Sequence, residues 1–335
     1  MEQVKKLQSL QGLRALATIG IFLFHSGFLL QGTFPVTLFF MLSGFMMYYT
    51  KHDLDDYEDF FSWNKLYVWK KIKQFYPLHF LTFIMACIIG RVWLKPLKET
   101  IIGGVLNLLL INSFVPDYAL VFNGVSWFLG ITIFLYLIAF FLLKLTKRAH
   151  NTKQHIMITL VVITAINLYH RFFQPLYLYT NPLYRILDFW LGILIAKLYM
   201  ESDHDIKDAN AMEYGLIVVF IIQYFAGLFL KPNPGYYSIL FTAAIYTFAI
   251  GKGRISQLLS LQTLDRIAGI SFEFYMIHEL ALRIFRKVFA GAVVSYPVLL
   301  CIISFPALFM TIGLIAIYKI VLRSFAGSSP NRSIE

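Results

Sequence analysis

Eleven predominantly apolar stretches follow one another along this chain, at about 13–31, 34–50, 76–94, 101–115, 125–144, 156–174, 184–200, 213–230, 236–250, 268–290 and 297–323. Their succession restricts the fold more than any other feature. About 20 such residues in a helix cross a hydrocarbon core about 30 Å thick. The 335 residues are 59% hydrophobic and only 14% charged, more apolar surface than a soluble domain can hide. The longest polar stretches lie around 51–75 and 200–212, too short for a separate soluble domain. The expected fold is all-α, a polytopic membrane helix bundle, with one domain over 1–335 and spans from about 10 to 323.

Charge placement sets the number of spans. The stretch at 101–115 is broken by two glycines and two asparagines, and fifteen helical residues reach only about 22 Å. Read as re-entrant or interfacial, it leaves ten spans with both termini cytoplasmic. That count gathers Lys5, Lys6, Lys65, Lys70, Lys71, Lys73, Lys144, Lys147, Arg148, Lys252, Arg254, Arg266, Lys319, Arg323 and Arg332 on the inner side, as the positive-inside rule requires. Arg283, Arg286 and Lys287 oppose it, and are expected to line an outer polar cavity. The N-terminal basic pair and apolar stretch also begin as a signal peptide does; with no small-residue cleavage site after it, the stretch is read as a retained helix. The net charge of +11 is explained by inner loops and anionic headgroups rather than nucleic acid. Cys87 and Cys301 lack metal-ligand spacing, so neither a disulfide framework nor a metal site is expected.

Two ionisable residues interrupt the first apolar stretch. Arg14 and His25 lie 11 residues apart, roughly 1100° of helix, so both leave one face about 16 Å apart along the axis. With Arg14 at the inner boundary, His25 falls near mid-membrane. Groups at such depth face a cavity or a partner. Two readings stand side by side: a snorkelling arginine with a structural histidine, or a functional pair. His25 suits a general base, because unperturbed imidazole titrates near neutral pH.

Arg-x10-His, a short Gly/Pro-containing turn and then LFFMLSGF (38–45, holding Ser43) together resemble acyltransferase family 3, integral-membrane O-acyltransferases. The resemblance implies about ten helices in the plasma (inner) membrane. It also implies transfer of an acyl group, often acetyl from acetyl-CoA, to a surface polysaccharide or lipid-linked saccharide, with no bound cofactor. Arg14 and His25 match the family's catalytic pair. Lys70 and Lys73, one helical turn apart before Pro77, stand where the family has a basic stretch, and would hold coenzyme A phosphates.

Later motifs continue the likeness. NGVSWFLGITIFLY (123–136) is similar to a Trp-containing motif, with Ser126 a helix N-cap or a site hydroxyl and Trp127 a site candidate; Gly130 stands where many members carry an acid. YRILDFWLGILIA (184–196) is similar to an Arg-x-x-x-Phe-x-x-Gly span, although Arg185 and Asp188 are spaced to pair with each other. GISFEFYMIHE (269–279) resembles a late Ser/Tyr/His span, in which His278 reads first as an interhelical hydrogen-bonding residue. Glu273 and Glu279 are candidate proton acceptors, or partners for Arg14 and Arg283. Tyrosine-rich segments at 174–184 and 231–238 suit an aromatic belt or a carbohydrate-binding rim. From another functional class, a transporter or flippase for a lipid-linked saccharide would place Arg14 and His25 on a substrate or proton path.

Overall fold

The computed structural model describes residues 6–54, 57, 59–173, 177–230 and 234–327. Lys5, Asp55, Asp56, Glu58, Arg332 and parts of the two tyrosine-rich segments (174–176 and 231–233) lie outside the described residues. Along the rest the chain forms α1 (Gln8–His25), α2 (Thr33–Lys51), α3 (Phe60–Gly90, with a π-helical turn at Asn64–Val68), α4 (Leu97–Leu108), α5 (Ser126–Arg148) and α6 (Thr152–Phe173). There follow α7 (Pro182–Glu201), α8 (Ala209–Leu230), α9 (Ser238–Ile250), the short α10 (Arg254–Leu259) and α11 (Gln262–Ala268), α12 (Ser271–Val288) and α13 (Tyr296–Gly327). No strand occurs among the described residues.

The helices divide by which of their faces are apolar. α3, α5, α6, α8 and α13 are each long and apolar enough to cross a membrane. On α6 and α8 most side chains point outward, including Val161, Met157, Ile222 and Phe225, the pattern of a helix whose solvent is lipid. α2 and α7 are instead largely enclosed, α7 with its charged Arg185, Asp188 and Lys197 among the buried residues, as befits helices at the centre of a bundle. α1, α9 and α12 complete the interior layer. The stretch expected to be re-entrant forms α4, whose 12 residues span about 18 Å, followed by two 3₁₀ turns at Asn112–Phe114 and Pro116–Tyr118.

Missing side chains set the closest helix crossing. A Cβ on Gly44 would lie 1.9 Å from the carbonyl oxygen of Phe189, and one on Gly192 would lie 1.9 Å from that of Met41. α2 and α7 therefore meet backbone to backbone through reciprocal glycines, as small residues permit between membrane helices. α1 is seated similarly, since a Cβ on Gly12 would fall 2.1 Å from the carbonyl of Leu259 on α10. α10 is itself fixed by the buried Glu213 of α8. Its carboxylate accepts from the amides of Gly253, Ile255 and Ser256 at 3.0, 2.8 and 3.1 Å, and from the Ser256 hydroxyl.

Among the described residues, Lys6, Lys147, Lys252 and Lys319, four of the basic residues expected on one side, lie at one end of the bundle. There Lys6 pairs with Asp265 at 2.6 Å and Lys319 with Glu273 at 3.5 Å, while Lys147 donates to the carbonyl of Asp53 and Lys252 to that of His204. Arg283, Arg286 and Lys287 lie toward the opposite end. α1 corrects one expectation, for it stops at His25 and not near 31. Ser26 hydrogen-bonds back to Phe22, and Gly27 takes φ +92°, a left-handed conformation natural to glycine. The residues beyond stay apolar although the helix has ended, so hydropathy carries no sign of the break.

Candidate functional site

Because α1 ends at His25, the imidazole is presented at a helix terminus into a cavity of about 440 Å³. Its Nδ1 lies 2.9 Å from Glu279 Oε2 on α12. A carboxylate can only accept, so Nδ1 carries the hydrogen and Nε2 is left as the proton acceptor. Glu279 is held in turn: Oε1 accepts from Arg283 Nε at 3.1 Å and Arg286 Nη1 at 3.4 Å. Arg286 also donates to the His25 carbonyl at the end of α1, where helix carbonyls lack partners. The result is an imidazole, a carboxylate hydrogen-bonded to it and two arginines that hold the carboxylate. Trp127, Tyr179 and Tyr275 supply aromatic walls to this cavity.

Arg14 opens into a different cavity, of about 540 Å³, lined also by Ser43, Tyr67, Lys71, Tyr136 and Glu273. Its guanidinium is deep among the helices yet exposed to this hollow. Glu273 pairs with Lys319, so Arg14 and Lys71 give the chamber a positive character. The two members of the Arg-x10-His pair thus serve separate chambers on one helix.

Aromatic rings stand between the chambers. Phe39 lines the Arg14 side and Tyr275 the His25 side. The ring of Phe128 lies between them, 6.0 Å from Phe39 and 5.0 Å from Tyr275, and 4.5 Å from Phe40 by centroids. These rings form a packed series from a residue that lines one chamber to a residue that lines the other.

The remaining residues singled out from sequence fall in several places. Arg185 is wholly buried and meets neither chamber. It pairs with Asp188 at 2.6 Å, as its spacing suggests, and donates to the Tyr179 carbonyl from Nε and Nη2 at 3.0 and 2.8 Å. It therefore holds the backbone of a residue whose ring lines the His25 cavity. Ser126 begins α5 without a side-chain cap, and its hydroxyl accepts from Asn107 Nδ2 at 2.8 Å, tying α4 to α5. His278 is fully buried, with its ring centroid 5.0 Å from that of His25. It does not bond between helices as expected: Nδ1 lies 3.0 Å from the carbonyl of Phe274 one turn back in α12. Lys70 and Lys73 are exposed on the flank of α3, Lys73 over the Trp69 ring at 5.5 Å, and it is Lys71 that lines the Arg14 chamber.

Of the two carboxylates offered as partners for Arg14 and Arg283, Glu279 does pair with Arg283, whereas Glu273 pairs with Lys319; that Glu279 also holds His25 was not foreseen. Gly130 also acquires a reason. A Cβ there would sit 2.4 Å from the Leu110 carbonyl beyond α4, so a side chain of any size is excluded, and the carboxylate near His25 comes from α12. Among the described residues, no group of three or more His, Cys, Asp or Glu could hold a metal ion.

The chain is 28% identical over 159 residues to a protein named acyltransferase MdmB from Streptomyces mycarofaciens, a match that covers 40% of this chain and 38% of that protein. No solved structure matches. The family described as an acyltransferase domain (Acyl_transf_3) matches residues 7–318, from the residue before α1 to about two-thirds of the way along α13, and the chain belongs to that family.

Proposed function

We propose that the chain is a plasma-membrane O-acyltransferase that moves a short acyl group, acetyl foremost, from acyl-CoA to a hydroxyl of a surface polysaccharide or lipid-linked saccharide. The observation that carries this reading is the Glu279–His25 pair at 2.9 Å, facing one chamber while Arg14 and Lys71 face another. On this reading both termini are cytoplasmic, and the Arg14 chamber admits the donor from that side. Arg14 and Lys71 hold its phosphates, and Lys70 and Lys73 extend the positive field along the flank of α3. The pantetheine arm threads the aromatic partition and brings the thioester to His25. There Nε2 takes the proton of the acceptor hydroxyl as its oxygen attacks the thioester carbonyl. The carbon–sulfur bond breaks, and the proton passes to the departing thiolate. Glu279 keeps the imidazole in the correct tautomer and stabilises its cation.

The test is release of free thiol from acetyl-CoA by the purified protein when a saccharide acceptor is added. Acceptor-dependent thiol, with acyl label on the saccharide, is the expected result. Transport of a lipid-linked saccharide across vesicles with no thiol released would overturn it in favour of a flippase.

The donor chamber gives a sharper prediction. Lys71→Ala is expected to raise the KM for acetyl-CoA by about ten- to a hundredfold, the range for a lost bond to a charged group, with a smaller difference from wild type at high salt. Lys70→Ala with Lys73→Ala should raise it less. Initial rates at two ionic strengths decide between them, and a larger effect of the double variant would move the phosphates to the flank of α3.

A further inference from the structure

Next to the His25 cavity lies a second hollow of about 610 Å³, between the end of α3, α4 and the 3₁₀ turn at Pro116–Tyr118. Leu120 and Arg283 line both, so the two spaces share a wall. Arg283 is already engaged, by Glu279 and by the Phe122 carbonyl at 2.5 Å. The other charged lining residues are Lys95, Glu99 and Asp117, all exposed to the hollow and without an ion pair among the described residues. Nothing in the catalytic reading above uses them.

The balance of these groups selects the ligand. The Arg14 chamber is positive and suits phosphate, whereas here one free cation stands with two carboxylates. An anionic ligand gains nothing from that set. A neutral polyhydroxylated one satisfies all of it, because each hydroxyl donates to a carboxylate and accepts from an ammonium. Tyr118 adds an aromatic wall, against which the apolar face of a sugar ring rests. The volume falls inside the roughly 300–1,000 Å³ common for small-molecule sites.

We propose that this hollow is a distal saccharide subsite. It holds a sugar ring of the acceptor beside the one whose hydroxyl meets His25, with Glu99, Asp117 and Lys95 as its polar contacts. The proposal rests on the acyl-transfer reading and adds to it where the rest of the acceptor lies. It makes the enzyme selective for an oligosaccharide over a single sugar.

The experiment compares two acceptors of one series, octyl glucoside and the corresponding alkyl maltotrioside, with acetyl-CoA as donor. Glu99→Gln combined with Asp117→Asn is expected to lower the trisaccharide-to-monosaccharide ratio of kcat/KM by roughly ten- to a hundredfold. The KM for acetyl-CoA serves as the check on folding. In a second variant, Asp117→Cys, attachment of a bulky maleimide should block the trisaccharide preferentially. A ratio equal to that of wild type in both variants overturns the subsite and leaves acyl transfer standing. Absence of thiol release by the wild type with water and with either acceptor overturns the acyl-transfer reading itself.

Discussion

Replacing His25 with Gln is expected to lower turnover by about 10²–10⁴, the range for loss of a general base, in protein that still folds and still binds acetyl-CoA. Glutamine keeps a hydrogen-bonding end for Glu279 but cannot take the hydroxyl proton as Nε2 does. Donor binding should survive because Arg14 and Lys71 lie in the other chamber, beyond the Phe128 partition. The measurement is turnover per folded molecule, alongside acetyl-CoA binding. Wild-type turnover in folded His25→Gln would remove the base from His25, and the buried His278, whose Nε2 lacks a partner among the described residues, would be the next imidazole to test.

Gly44→Ala or Gly192→Ala should be among the most damaging single substitutions outside the chambers. Each new Cβ would meet backbone at 1.9 Å, and a carbonyl in a helix cannot swing aside like a flexible side chain. Overpacking commonly costs about 1–3 kcal/mol and occasionally more, and this overlap belongs at the upper end. The comparison is with Gly215→Ala and Gly313→Ala, where an added Cβ meets nothing within 4 Å. There a gain of about 0.5–1 kcal/mol is expected from helix propensity. Thermal unfolding in detergent should place the first two well below wild type and the second two at or above it. Equal stability for all four would show that α2 and α7 separate freely.

Much of this architecture is legible in the residues because membrane helices announce themselves by length and hydropathy. The three-residue spacing of Arg185 and Asp188 foretold their pair. The contacts that make the site are not local, however. His25 and Glu279 meet across 254 positions, and no spacing rule connects α1 with α12. Lys71 replaces Lys70 and Lys73 in the chamber for a subtler reason. Which face of α3 turns inward depends on the phase of the helix, and the π turn at Asn64–Val68 inserts an extra residue just upstream. One residue is worth about 100° of rotation, enough to exchange neighbouring side chains between flank and cavity. The end of α1 escaped notice because Gly27 turns the chain inside an apolar stretch that continues unbroken.

A protein hollowed from both ends of its bundle comes close to being a pore. In the proposed orientation, water enters one chamber from the cytoplasm and the other from outside. Packed side chains, the rings of Phe39, Phe128 and Tyr275 among them, then separate two solutions held at different voltage and pH. Apolar constrictions exclude water by dewetting, so rings on the proposed acyl path would also insulate the membrane. Each elementary charge leaking past them would dissipate about 2.3 kcal/mol per 100 mV of membrane potential. Removing the Phe128 ring is therefore expected to reach beyond the acyl-transfer reaction and raise the proton leak of vesicles that carry the protein.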